Sequence, residues 1–213
     1  MNSIYFKNIY QNCVTEILKE IYLDKIYEPF LINRFNLTIV DIGANVGLTS
    51  FYFKDFAKIV YAIEPAKEHL KCLQTMVTQN NIQNIKILPF AVSNKQGKTK
   101  LYHSPNPTAH SLMDISNNND FEEVQTITLD WLIKQDNLDH IDFLKADMEG
   151  EESTVFTDPE FAKIAPKISS IVGEWHDWGF TSKSFFKETM ERLGYHFSWN
   201  RESEAAIFTC VRI

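Results

Sequence analysis

The chain has 213 residues, of which 44% are hydrophobic and 13% aromatic, with a formal charge of -7 and a pI near 5.4. That length holds one α/β domain of about 170 to 200 residues with little left for a second core, and the composition is far from that of a disordered chain. With no Lys/Arg block, no apolar stretch of about 18 residues and no signal-peptide core, nucleic-acid binding, membrane spanning and export are excluded, leaving a cytoplasmic protein as the expectation.

Residues 4–27 place Ile4, Ile9, Val14, Ile17, Leu18, Ile21 and Tyr22 at three- and four-residue spacings, which predicts an amphipathic helix ended by Pro29. Residues 1–37 are therefore read as a helical segment packing on a main domain at 38–213. From Thr38 onward short β-branched runs alternate with helical stretches, as parallel strands joined by crossover helices require. Strands are expected at 38–41, 59–63, 85–90, 142–146 and 168–173, and helices at 45–56, 66–79, 129–134, 152–156 and 182–193. Runs at 195–199 and 205–211 have no helix between them and predict a closing antiparallel hairpin.

The fold class expected is thus α/β: a Rossmann-like, mostly parallel seven-stranded sheet with a C-terminal hairpin and helices on both faces. Residues 93–123, with Pro105, Pro107 and a run of Asn, break the rhythm and are expected to be an irregular insertion. Cys13, Cys72 and Cys210 form no C-x-x-C pair and read as free thiols of a reducing compartment.

The apolar strand ending at Asp41 runs into Gly43-Ala44-Asn45-Val46-Gly47, the setting in which a glycine loop brings backbone N–H groups close to a ligand. Asn45 and Leu48 stand where a dinucleotide loop needs glycines, and no Lys follows Gly47 as a P-loop would require. Phosphate cradles are therefore disfavoured, and with them a nicotinamide oxidoreductase. The next strand ends in Glu64-Pro65, close to the distance at which such folds put a carboxylate on ribose hydroxyls. Asp41 and Glu64 frame a nucleoside, so a nucleoside-binding module without turnover is the other alternative.

The series IVDIGANVG, YAIEP, PFAVSN, TLDWL and DFLKADMEGEE, spread over about residues 38–175, resembles the FkbM family of S-adenosylmethionine-dependent methyltransferases. The resemblance implies a class I methyltransferase fold, with Asp41, Gly43, Asn45 and Gly47 at the methionine end of the cofactor. It implies Glu64, with Pro65 after it, at the ribose, and Ala91 and Val92 beside the adenine. It also implies O-methylation of a sugar, glycan or natural-product hydroxyl, the acceptor partner being a small molecule or glycan.

Ligands of open α/β sheets sit outside the carboxyl ends of the strands. Asp147, Glu149 and Glu152 follow the fourth strand, and Glu174 and His176 the fifth, so these residues are expected near the reacting methyl group. An alcohol must lose its proton as it attacks, which needs a base or a metal. His176 fits the base because imidazole titrates near neutrality. Asp147, Glu149, Glu174 and His176 could instead hold Mg or Mn. His103, His110 and Ser111 are in the insertion, within possible reach of an acceptor. Trp175, Trp178, Phe180 and Phe185 are a candidate apolar wall for it.

Overall fold

The computed structural model describes residues 11–104, 109–114, 119–178, 181–201 and 206–213. Ile4, Ile9, Pro105, Pro107 and Phe180 lie outside them.

In chain order the elements are α1 (Gln11–Tyr22), α2 (Glu28–Leu31), β1 (Leu37–Ile42), α3 (Leu48–Phe53), β2 (Ala57–Ile63), α4 (Lys67–Gln79), β3 (Ile85–Leu88), β4 (Ala91–Val92), β5 (Gly97–Tyr102) and β6 (Phe121–Ile127). They continue as α5 (Leu129–Gln135), β7 (Phe143–Ala146), α6 (Glu152–Phe156), α7 (Pro159–Ile164), β8 (Ser170–Trp175), α8 (Lys183–Arg192), β9 (Tyr195–Arg201) and β10 (Ala206–Arg212). The main sheet has seven strands in the order β3-β2-β1-β7-β8-β10-β9. The first five are parallel, and β10 and β9 close the edge antiparallel to β8 and to each other. The chain leaves β1 toward β2 on one side and returns to β7 on the other. That reversal opens a crevice above the carboxyl ends of β1 and β7.

The period of two along each strand sorts the core into two layers. Ile39, Val60, Ala62, Phe143 and Val172 face α1 to α4, where Ile21, Tyr27, Leu31, Phe53, Leu73 and Met76 are buried with them. Val40, Leu144 and Ile171 face the other way, onto Leu132, Val155, Phe161, Phe186 and Met190 of α5 to α8. Both layers hold residues with essentially no solvent exposure, each worth about 1.5 to 3 kcal/mol of transfer free energy.

Three local expectations change. The N-terminal helix stops at Tyr22, and Pro29 does not end it; Pro29 instead opens the short α2, whose first positions have no backbone donor to lose. The insertion is not wholly irregular: β5 and β6 pair antiparallel, β6 pairs parallel with β4, and the three form a second sheet. Val124 and Thr126 alternate inward along β6, a period-two signal that the surrounding Asn and Pro runs obscured. Helix α7 was not expected at all, although Asp158 caps it from the position before Pro159. Cys72 and Cys210 are buried free thiols.

Candidate active site

The turn after β1 is fixed from below. Asp41 is fully buried, and its Oδ2 accepts hydrogen bonds from Thr49 Oγ1 at 2.7 Å and Ser50 Oγ at 2.6 Å. The same residue lies 3.4 Å from Nζ of Lys145, a buried lysine that also donates to the carbonyls of Ile42 and Gly43 and lies 3.5 Å from Asp147. Burial alone would lower the Lys145 pKa, but Asp41 and Asp147 outweigh it and hold the ammonium above the ordinary lysine range. Gly43 has φ +70°, and a Cβ there would fall 1.9 Å from the Asp147 carbonyl oxygen. Its lack of a side chain is thus required by the packing of two strand ends against each other. Gly47, at φ +95°, also adopts a backbone conformation that side chains rarely take, and it abuts the side-chain ends of Leu73 and Met76 of α4.

Glu64, only 5% exposed, closes the other side of the turn. Its Oε2 accepts from the Asn45 N–H at 2.8 Å, and its Oε1 accepts from the Ala66 N–H at 2.9 Å and lies 3.2 Å from Nδ1 of His69. Above these residues is a cavity of about 560 Å³, lined at its base by Gly43, Asn45, Glu64 and Pro65. Phe90, Ala91 and Val92 form one wall, Leu101, His110 and Leu112 of the insertion another, and Asp147, Met148 and Glu149 the third. His110 stacks on His69 with centroids 5.0 Å apart. Burial, reinforced by His69 and His103, pushes its pKa down to about 4, so it is neutral near pH 7. Asp41, Gly47, Glu174 and His176 do not line this cavity.

The second group lies at the ends of β7 and β8. His176 is 5% exposed, with Nδ1 3.1 Å from Glu152 and Nε2 3.3 Å from Glu149 and 3.9 Å from Glu174. Glu152, 1% exposed, also accepts from the N–H groups of Met148 and Gly150, which fixes the turn that carries Glu149. Glu149 sits at φ +51°, rare for a residue with a side chain. Its carbonyl accepts from Ser111 Oγ and Trp178 Nε1. Asp147 has one carboxylate oxygen, Oδ1, that is buried without a hydrogen-bond partner among the described residues.

Crowding of charge sets the proton distribution. Burial, then the charge of Asp147, pushes Glu149 up to about 9 and Glu174 up to about 8. Burial opposes charging His176, but the hydrogen bond and charge of Glu152, with Glu149 and Asp147, raise it to about 10. His176 is therefore an imidazolium at neutral pH. The expectation of an imidazole titrating near neutrality gives way to a cation clamped between carboxylates.

Sequence reasoning missed Lys145, whose one signal is a charge in the middle of the apolar strand Phe143–Ala146. It also left Glu152 out of the base and metal candidates, although Glu152 lies 3.1 Å from Nδ1 of His176. Of the aromatic wall, Phe180 lies outside the described residues; Trp175 is 1% exposed and packs on Phe186 and Trp199, Trp178 packs against His176, and Phe185 is exposed.

Among solved structures the fold is similar to the FkbM methyltransferase of Methylobacillus flagellatus KT, with TM-score 0.56 and 16% identity over 84% of this chain and 45% of that one. This chain thus spans less than half of that protein. A methyltransferase of Aquifex aeolicus described as SAM dependent gives TM-score 0.52 and 14% identity over 95% and 98% of the two chains. Magnesium protoporphyrin IX methyltransferase of Synechocystis PCC 6803, solved with bound SAM, gives 0.50 and 10% over 95% and 79%. At these identities the likeness establishes the fold. No curated protein matches the chain. Membership is decided by a family model described as the methyltransferase FkbM domain, which matches residues 41–197 and so takes in both groups of side chains; this chain belongs to the FkbM methyltransferase family.

Proposed function

We propose that the protein transfers a methyl group from S-adenosylmethionine to a hydroxyl of a sugar, glycan or natural-product acceptor. The observation that carries this reading is the shared wall: Asp147 borders the cavity above Gly43 and Glu64 and also a second one, of about 250 Å³, whose lining includes Lys145, Gly173 and Glu174.

The first cavity suits the cofactor. Glu64 uses three of the roughly four acceptor positions of a carboxylate, leaving Oε2 able to take a ribose hydroxyl. Ala91 and Val92 offer an apolar face for adenine, and Gly43 and Asn45 border the methionine end. Asp41 and Gly47 support that loop from beneath it. When bound, the cofactor supplies an electrophilic methyl on a sulfonium ion, which the unpartnered Oδ1 of Asp147 would favour electrostatically.

On the acceptor side a hydroxyl proton must be taken up. Glu174 suits that step, because its carboxylate, with a pKa raised to about 8, is a strong base for a hydroxyl proton near physiological pH. His176, as an imidazolium, holds Glu149 and Glu152 in place. One observation favours a second reading of the same residues: ligand atoms of Asp147, Glu149 and His176 all lie within 4.8 Å of one another. Those donors suit Mg or Mn, with Glu152 orienting the imidazole through Nδ1.

Among the described residues no helix is long and apolar enough to cross a membrane. The buried free thiols support residence in a reducing cytoplasm.

Calorimetry with S-adenosylmethionine, S-adenosylhomocysteine and NAD tests the cofactor: the first two bind and NAD does not. Binding of NAD alone would restore the oxidoreductase reading. Binding without any methylated product across a panel of hydroxylated metabolites would favour a nucleoside-binding module. Loss of turnover with EDTA and its recovery with Mg or Mn would select the metal reading.

A further inference from the structure

Of the carboxylates that line the first cavity, Glu64 is tied to the turn after β1, and Asp147 and Glu149 stand with His176, but Glu151 belongs to neither group. Glu151 opens α6, a place where an acidic side chain is ordinarily an exposed partner of the free backbone N–H groups. Here it is neither exposed nor a cap. The residue is 8% exposed and its side chain makes no capping hydrogen bond. Glu152 takes the N–H groups of Met148 and Gly150 instead.

The Glu151 side chain turns to the end of β4, where its Oε2 accepts from Ser93 Oγ at 2.8 Å. Ser93 directly follows Ala91 and Val92, two buried residues of the cavity lining, and is itself anchored by donating its N–H to the Ile127 carbonyl. Among the described residues this hydroxyl is the one hydrogen-bond donor that the carboxylate has, and Lys95, whose charge bears on it, is exposed. A carboxylate has roughly four acceptor positions, and a buried one costs free energy when donors do not meet it. The Ala91-Val92 end of the cavity therefore carries an acceptor with capacity to spare.

We propose that Glu151 selects the base of the cofactor, its carboxylate accepting a hydrogen bond from the exocyclic amine of adenine while Ser93 holds it in position. This deepens the methyltransferase reading and rests on it. Of the parts of S-adenosylmethionine the base is the planar, apolar one, and Phe90, Ala91, Val92, Leu101 and Leu112 are the apolar stretch of the lining. With its N9 bonded to ribose, adenine has no N–H groups except those of the amine. An ionised carboxylate can only accept, so it suits that amine and opposes an oxygen at the same position.

The test is calorimetry on the intact protein with S-adenosylhomocysteine and S-inosylhomocysteine, which differ in having an amine or an oxygen at C6 of the base. The wild-type protein should bind the inosine compound about tenfold more weakly or worse, the scale of one charge-assisted contact. Glu151→Gln keeps the shape and can turn an amide N–H toward the oxygen, so the two affinities should come within about threefold of each other. Ser93→Ala should narrow the gap by a smaller factor, and it leaves the carboxylate itself in place. A side chain that only supports the fold would weaken both ligands alike. Equal wild-type affinities, or the wild-type ratio kept in both variants, would therefore overturn the role of Glu151 and leave the cofactor reading standing. A wild-type protein that binds neither compound would sink both.

Discussion

Two sets of carboxylates stand at the carboxyl ends of this sheet, and their surroundings differ. Glu64, at the end of β2, is met by two backbone N–H groups and a histidine within 3.2 Å. At the ends of β7 and β8, Asp147, Glu149 and Glu174 crowd one another, with Oδ1 of Asp147 left without a donor among the described residues. A carboxylate satisfied by the backbone is a fixed part of a cradle. Carboxylates that compete for protons and cations are poised to exchange them, and such perturbed groups gather where chemistry is done.

The sharpest way to break the cradle is at Gly43. Gly43→Val drives a Cβ into the Asp147 carbonyl oxygen 1.9 Å away at a positive φ, so the expected loss is about 3 kcal/mol or more of unfolding free energy. Urea denaturation measures it. A variant with native stability would show that the two strand ends can part without cost.

On the crowded side the effect should fall on turnover. Asp147→Asn keeps the shape and removes the charge that Lys145 and the reaction share, with an expected loss of about a hundredfold or more in kcat. Affinity for S-adenosylhomocysteine should change little. A parallel loss of cofactor affinity would move Asp147 into the cradle and blur the distinction.

Glu64→Gln is the matching experiment on the quiet side. It should weaken S-adenosylhomocysteine by about 1 to 3 kcal/mol, the scale of a charge-assisted hydrogen bond, with kcat at saturating cofactor nearly unchanged. Unaltered affinity would remove Glu64 from the ribose assignment.

The smallest expected effect is a pH dependence of stability that belongs to the crowded side alone. Glu149 and Glu174 are raised from 4.5 to about 9 and 8, and His176 from 6.5 to about 10. All three bind protons more tightly in the folded protein. The contribution of His176 is whole below the ordinary imidazole range and lost as pH rises toward 10. The cost of ionising the two buried glutamates grows from above 4.5 to their folded values. Stability should therefore fall between pH 6 and 10, by about 5 °C in Tm or more, and Glu149→Gln should flatten the slope. A wild-type Tm that rises over that range would contradict the shared-proton description.

Much of this was readable from residue order. The short apolar runs in 38–41 and 142–146 and the crossover rhythm gave the parallel sheet, because a strand buried on both faces has few other compositions open to it. The glycine turn followed by Glu64 fixed the cradle, since both residues lie within one βαβ unit. The alternation of Val124 and Thr126 and the Asp-Pro cap of α7 were also present as local signals, although neighbouring Pro and Asn runs outweighed them.

What residue order does not contain is distance between segments far apart in the chain. The pairing of Lys145 with Asp41, the clamp of His176 between Glu149 and Glu152, and the approach of Tyr27 to Glu174 join residues brought together only by sheet order and helix packing. Protonation follows the same rule. His176 has the ordinary titration range of any histidine in the sequence, and only the carboxylates placed around it by tertiary structure make it a cation at neutral pH.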